Sequence, residues 1–178
     1  MQPDFQTVSP SPLYTTPLVE EVLQHIREQK HLGKRIVLAT GVFDLFHEEH
    51  GTYLRKAKQA GDILVVAIES DARTRELKGA GRPVENEQIR LSHIKKLSYV
   101  DEAFVLPQDF NNTTRYEELI WHVQPDIYAV SSHSLYQENK KKIIEKFGGK
   151  FIVVHEYNPE ISTTKIIQRG RKREDILK

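Results

Sequence analysis

Residues 36–50, Ile36-Val37-Leu38-Ala39-Thr40-Gly41-Val42-Phe43-Asp44-Leu45-Phe46-His47-Glu48-Glu49-His50, run from an unbroken apolar stretch through a glycine to two histidines three residues apart. The apolar stretch Ile36–Ala39 is too short for a helix and meets Gly41 almost at once, so it predicts a strand. From about Glu48 the period changes. Tyr53, Leu54, Ala57 and Ala60 recur on one helical face, Arg55, Lys56 and Lys58 fall on the solvated side, and Gly61 ends the pattern. His47 and His50 therefore stand at a helix entrance, close enough to share a face, where unpaired backbone N–H groups also point outward.

Such an entrance reads as a phosphate cradle. Neutral imidazoles donate hydrogen bonds to phosphate oxygens, and protonated ones add charge. When one phosphate attacks the α-phosphorus of a nucleotide, the transition state is crowded and highly charged, and fixed donors stabilise it without any side-chain nucleophile. The spacing alone is equally compatible with packing or capping histidines. Zinc is disfavoured, because the chain has no cysteine and no further histidine or carboxylate at a convincing ligand spacing.

Outward from this turn, the alternation of strand and helix repeats. Ile63–Ile68 predicts a second strand, residues 69–85 a charged loop or short-helix region, and Asn86 a cap for a helix over Glu87–Leu97. Val100–Leu106 predicts a third strand, Thr113 or Thr114 the start of a helix to Val123, and Ile127–Val130 a fourth strand after Pro125-Asp126. A helix is expected over Ser134–Phe147, a strand over Phe151–Val154, and a last helix capped by Ser162, with Ile161, Ile166 and Ile167 assigned to the core. This order predicts a three-layer α/β fold with a mostly parallel sheet. Ligands of such sheets gather at the carboxyl ends of the strands, where Gly41–His50 falls. The expected organisation is a tail over residues 1–16, an accessory helix within 17–34, a main domain over 35–168 and a basic extension over 169–178. The accessory helix, with Leu18, Val22, Leu23 and Ile26 on its apolar face, can cap a sheet edge or make a dimer contact.

Composition narrows the function classes. The 178 residues suffice for one core with appendages, and a formal charge of +1 demands neither nucleic acid nor membrane as partner. The absence of cysteine excludes disulfides and thiol catalysis. No signal-peptide pattern opens the sequence and no run is long enough to cross a bilayer, so a soluble cytoplasmic protein is the expectation. Arg169, Arg171, Lys172 and Arg173 lack interleaved stacking aromatics, and a solvated terminal helix is expected rather than a nucleic-acid contact.

The pattern Gly41-x-Phe43-Asp44-x-x-His47-x-x-His50 resembles the cytidylyltransferase-like family of nucleotidyltransferases. The resemblance extends in order through Gly61-Asp62, Glu69-Ser70-Asp71, Lys78-Gly79, Arg82-Pro83-Val84, Glu87–Arg90, Val100-Asp101, Pro125-Asp126, Gly148-Gly149 and Ile161-Ser162-Thr163-Thr164. It implies a Rossmann-like domain, usually a homodimer, that joins a nucleoside triphosphate to a phosphorylated small molecule with release of pyrophosphate and with Mg2+ as the expected ion. The chain looks most like adenylyltransferases of heptose 1-phosphate or related sugar phosphates, so ATP is favoured over CTP. Cytidylyltransferases for glycerol phosphate or ethanolamine phosphate, FAD synthases, and a noncatalytic nucleotide binder on the same fold remain alternatives.

The resemblance also implies residue roles. His47, His50, Lys78 and Arg90 are the catalytic candidates, Lys78 reaching phosphates as a mobile point charge and Arg90 as a planar fork at a helix start. Gly41, Phe43, Asp44, Arg82, Ser162, Thr163 and Thr164 are expected around the nucleotide. Gly41 would allow close approach of the backbone, and Ser162–Thr164 would offer hydroxyls and a helix entrance to phosphates. Packing is the favoured reading of Phe43, while Asp44 suits either an N–H partner, an Asx-turn or water-bound magnesium. Arg73 and Arg75 are peripheral candidates.

Three departures bear on the acceptor and on activity. Glu49 stands where the family has glycine between its histidines, and a carboxylate beside phosphates is unfavourable unless it turns away or engages a cation. The chain has Ser131-Ser132-His133-Ser134 where sugar-phosphate members place a Lys-Gly-Gly-Asp-type loop, so Ser131, Ser132 and His133 are acceptor-site candidates. Tyr157-Asn158-Pro159-Glu160 replaces an arginine that some cytidylyl-transferring members carry before Ser-Thr-Thr.

Overall fold

The computed structural model describes residues 17–158 and 161–167. The tail over 1–16 and the basic residues Arg169–Arg173 lie outside them. Five strands, β1 (Ile36–Gly41), β2 (Ile63–Ile68), β3 (Glu102–Val105), β4 (Ile127–Ser131) and β5 (Lys150–His155), alternate with helices α1 (Pro17–His31), α2 (Glu48–Gln59), α3 (Asp71–Lys78), α4 (Glu87–Lys95), α5 (Thr113–Val123) and α6 (Gln137–Lys146). Every strand pair is parallel, in the order β3-β2-β1-β4-β5. This is a Rossmann-like α/β fold.

Side-chain alternation along the strands divides the interior into two layers. Ile36 and Leu38 of β1, with Val65 and Ala67 of β2, join Val22, Leu23 and Ile26 of α1 and residues of α5 and α6. Val37 and Ala39, with Leu64, Val66 and Ile68, face Tyr53, Leu54 and Ala57 of α2 and Leu91 and Ile94 of α4. Helix α1 thus contributes directly to the larger core cluster. Tyr53 ties α2 across the sheet by donating its hydroxyl to the Ala129 carbonyl of β4 at 2.9 Å.

At the amino end of the sheet, three aspartates receive N–H groups at the starts of neighbouring strands. Asp62 accepts from Arg35 N at 2.8 Å, Asp101 from Leu64 N at 2.6 Å, and Asp126 from Ile36 N at 2.8 Å. These acids hold strand entrances that the ladder leaves short of acceptors. They stand at the opposite end of the sheet from the histidines.

Several boundaries differ from the sequence reading. Residues 71–78 form a full helix, α3, capped by Ser70, whose hydroxyl accepts from Arg73 N. Helix α5 does run from Thr113 to Val123, as expected, and the residue before it, Asn112, is its cap, the amide oxygen accepting from Arg115 N at 3.1 Å. Helix α6 begins at Gln137 after Tyr136, which adopts φ 58°, so Ser134 lies in the preceding turn and caps nothing. Ser162 does accept from Lys165 N at 3.3 Å, at the start of the short helical turn over 163–167. Ile161, Ile166 and Ile167 stand outside the buried core, and Ile166 is exposed.

Candidate active site

The chain leaves β1 at the point where the sheet order reverses: β2 and β3 lie to one side of β1, β4 and β5 to the other. A crevice opens at such a switch point beyond the carboxyl ends of the strands. Here it is a cavity of about 270 Å³ whose walls include Gly41–Asp44, His47, His50, Lys78, Arg82, Ser131, His133 and Ser162–Thr164.

The loop after β1 has an uncommon backbone. Phe43 and Leu45 both have positive φ, 54° and 47°, a region that L side chains seldom occupy. Asp44 between them holds this conformation. Its buried carboxylate accepts from Arg82 Nε at 2.7 Å and from the backbone N–H groups of Val84 and Glu85, each at 3.0 Å. Burial pushes the Asp44 carboxyl up, but the hydrogen bonds from Glu85, Val84 and Arg82 outweigh it and leave the group below its ordinary value. Of the roles open to Asp44, the geometry supports the N–H partner.

Phe43 folds back under the loop and is buried. Its ring stacks near Tyr53 and meets His50 edge-on, with centroids 5.4 Å apart. A Cβ at Gly41 would fall 2.9 Å from this ring, so the lack of a side chain at Gly41 makes room for Phe43. Gly41→Ala is therefore expected to destabilise the protein by about 1–3 kcal/mol through overpacking. A urea midpoint equal to that of the wild type would contradict this account of the loop.

His47 and His50 stack with centroids 3.7 Å apart. The Nδ1 atom of each ring is buried and without a hydrogen-bond partner among the described residues. Burial lowers the pKa of His47, with Glu49 opposing; burial and then the neighbouring His47 bring His50 down to about 3. Both rings are neutral at pH 7, so each retains one N–H to donate. Across the cavity Lys78 is exposed at the end of α3, and Thr163 donates its hydroxyl to the Asp44 carbonyl at 2.8 Å, joining the second helix entrance to the loop.

Residues 38–169 match the family model described as cytidylyltransferase-like. The chain belongs to the cytidylyltransferase-like family of nucleotidyltransferases. It is 34% identical over 153 residues to the bifunctional protein HldE of Desulfatibacillum aliphaticivorans, covering 84% of this chain and 29% of that protein. To the bifunctional protein HldE of Geotalea uraniireducens (strain Rf4) it is 37% identical over 147 residues, covering 82% of this chain and 29% of that protein. The chain thus spans about three tenths of the length of these curated relatives. The crystal structure of the lipopolysaccharide core biosynthesis protein from Thermoplasma volcanium GSS1 matches with a TM-score of 0.60 at 30% identity, covering 71% of this chain and 100% of that one.

Within this cytidylyltransferase-like site, Arg90 stands apart from the other candidates. It is 0% exposed and absent from the cavity wall. Its Nε donates to the Glu85 carbonyl at 3.0 Å, Nη1 to the Val42 carbonyl at 2.6 Å, and Nη2 to the Asp71 carboxylate at 2.7 Å. The phosphate contact expected of Arg90 is not available from this position; the guanidinium braces the loop from behind. Arg82 lines the cavity but its Nε is held by Asp44.

The departures of this member also have definite positions. Glu49 neither points to solvent nor stands free in the cleft. Its carboxylate accepts from His155 Nε2 at 2.8 Å, at the cavity wall, with both side chains largely buried. Lys56 Nζ lies 3.4 Å from His155 Nδ1, and since an ammonium only donates, this contact fits a ring that carries its proton on Nε2. Ser132 Oγ accepts from Tyr157 N at 2.8 Å, while the exposed His133 ring stacks on Tyr157 at 4.3 Å. Ser131 and His133 line the cavity; Ser132 supports the loop.

Wall residues outside the sequence candidates for direct contact include Glu69, Tyr116, Lys140 and His155. Glu69 sat within a familial motif, but Lys140 offered no signal, lying in the charged run Asn139–Lys142 that reads as a solvated helix face. Arg75, a peripheral candidate, is exposed, whereas Arg73 is buried at the wall. Among the described residues no group of three or more His, Asp or Glu side chains is placed to hold a metal ion. The described residues therefore offer no carboxylate cage there.

Proposed function

We propose that this chain joins a nucleoside triphosphate, ATP in preference to CTP, to a phosphorylated small molecule of the sugar-phosphate type, with release of pyrophosphate. The observation that carries this reading is the stacked, neutral His47–His50 pair with unpartnered ring nitrogens, set in one cavity with Lys78 and the Ser162–Thr164 entrance. In the proposed reaction an oxygen of the acceptor phosphate attacks the α-phosphorus, the bond from that phosphorus to the bridging oxygen breaks, and pyrophosphate leaves with the bonding pair. His47 and His50 donate to oxygens of the α-phosphoryl group as charge builds there, which favours the transition state over the ground state. Lys78 and the 162–164 entrance hold the β- and γ-phosphates. An acceptor phosphate already ionised at neutral pH needs no protein base.

Buried Arg90 has a positioning role in this scheme, fixing the Val42 carbonyl and hence the Gly41–Asp44 loop. Magnesium bound to the triphosphate would offset charge on the leaving group. The resemblance to sugar-phosphate adenylyltransferases supports ATP and a sugar phosphate, and the family habit supports a homodimer. No helix among the described residues is long and apolar enough to cross a membrane.

The test pairs ATP and CTP with a panel of aldose 1-phosphates, glycerol 3-phosphate, phosphoethanolamine and FMN, measuring pyrophosphate and the coupled product. ATP-dependent product with an aldose 1-phosphate is the expected result. Saturable nucleotide binding without turnover across the panel would instead mark a binder built on this fold.

A further inference from the structure

One wall of the cavity, built from Glu69 after β2 and from α3, α5 and α6, holds four ionisable side chains that the transfer step does not use. Glu69, Arg73 and Lys140 are 6%, 8% and 6% exposed, and Tyr116 packs beside them as a fourth buried wall residue. The Glu69 N–H donates to the Gly41 carbonyl at 2.9 Å, which ties the backbone at Glu69 to the end of β1. Glu69 Oε2 and Arg73 Nε are both buried with no hydrogen-bond partner among the described residues. Lys140 donates to Ser134 Oγ at 2.9 Å and stands over the rings of Tyr116 and Tyr128 at 5.7 and 5.8 Å. Arg73 Nη1 pairs with Glu76 at 2.8 Å.

With Glu69 ionised these charges cancel: Glu69 and Glu76 against Lys140 and Arg73. A second phosphate would meet Glu69, and an ammonium would meet Lys140 and Arg73, each at a buried position where a like charge is costly. The groups left open are an acceptor, Glu69 Oε2, and a donor, Arg73 Nε, with the Ser134 hydroxyl able to act as either. A hydroxyl both donates and accepts through one oxygen, so neighbouring hydroxyls on one carbon chain can satisfy both kinds of open group. Burial raises the Glu69 carboxyl to about 7 and lowers the Lys140 ammonium to about 8, as expected for a pair shielded from water.

We infer that Glu69, Lys140, Arg73 and Ser134 form the subsite for the neutral, polyhydroxylated part of the acceptor, and that this subsite selects sugar phosphates over amino-alcohol phosphates and bisphosphates. The inference rests on the proposed nucleotidyl transfer and names the determinant of its acceptor class. Loss of hydrogen bonds to a buried charged group is expected to raise the acceptor KM by about 10- to 100-fold.

The experiment uses the full chain, wild type and the shape-conserving variants Glu69→Gln, Lys140→Met and Lys140→Arg. Steady-state KM and kcat are measured for the best aldose 1-phosphate of the panel, for its monodeoxy analogues and for phosphoethanolamine, alongside the ATP dissociation constant. The expected outcome is a raised acceptor KM in Glu69→Gln and Lys140→Met, partial recovery in Lys140→Arg, an ATP dissociation constant within about threefold of wild type, and wild-type discrimination of at least about tenfold against one deoxy analogue. The inference is overturned if phosphoethanolamine is the best acceptor, or if both Glu69→Gln and Lys140→Met retain the wild-type KM. Should a variant fail to fold, the wild-type comparison of sugar and deoxy analogue decides alone, and equal efficiency rejects the subsite. If no acceptor turns over, calorimetric titration of the aldose 1-phosphates into protein saturated with a non-hydrolysable ATP analogue separates the two claims. Binding weakened by Glu69→Gln upholds the subsite while transfer fails; no binding by any of them rejects both.

Discussion

His50→Ala is expected to lower kcat by about 100- to 1000-fold while leaving the ATP dissociation constant within about threefold of wild type, because the imidazole acts on charge that develops only as the acceptor attacks. The ring lies between Phe43 and His47, in contact with both, and is half shielded from solvent. Its low proton affinity keeps it a neutral donor across the physiological range. His47→Ala is expected to act in the same direction, and the double variant should lose less than the product of the single effects, since the rings share one face and one phosphoryl group. The measurement is single-turnover ATP consumption together with equilibrium nucleotide binding. Unchanged turnover in His50→Ala would remove the histidines from the reaction, and a parallel loss of ATP affinity would make them ground-state ligands.

The largest expected effect on stability belongs to Asp44. Removing its carboxylate leaves Arg82 Nε and the N–H groups of Val84 and Glu85 without their acceptor, beneath a loop with two positive-φ residues. Asp44→Ala is expected to destabilise the protein by about 3–5 kcal/mol, the range for breaking a buried ion pair. Asp44→Asn, which keeps one acceptor oxygen, should cost less. The single tryptophan, Trp121, reports urea unfolding by fluorescence. The pH dependence has a definite sign. Because the folded-state value of Asp44 lies below the ordinary 3.8, its stabilisation is fully present above pH 3.8 and is lost as pH falls through the lower folded value. Asp44→Asn should therefore have a flatter acid limb than wild type. Equal stability of Asp44→Asn and wild type at pH 7, with identical acid limbs, would show that the carboxylate contributes nothing.

The layered fold was legible because its information is local. Ile36–Ala39 and Ile63–Ile68 are buried on both faces and read as unbroken apolar runs, while Tyr53, Leu54 and Ala57 carry helical period. The boundaries that shifted are those where several residues compete for one role. Helix α5 did not shift: it starts at Thr113 and ends at Val123, with Asn112 as the cap before it. Ser134 looks like a cap until Tyr136 takes up a left-handed conformation two residues later.

The cavity was legible wherever a residue lies on a loop at the carboxyl end of a strand, as do His47, His133 and Ser162. It was obscure where burial of a charge depends on distant partners. Arg90 opens a helix as a solvated arginine would, yet packing closes over it from three segments. Lys140 is one of six consecutive polar residues that open α6, and only the docking of that helix against Tyr116 and Tyr128 distinguishes it from Lys141. Glu49 is a related case, since its partner His155 is 106 positions away.

Arg90 also separates what dissolved ions can reach from what they cannot. Mobile counter-ions act on charges in contact with solvent, over a distance of about 8 Å at physiological ionic strength. Lys78 is open to them; the Arg90 guanidinium is sealed among Val42, Glu85 and Asp71. Salt would thus loosen the grip on a bound triphosphate while the shape of the loop beneath it stays the same. In the proposed reaction the strength of the phosphate's attraction and the geometry of its seat would answer to different surroundings, one to the solvent and the other to the interior alone.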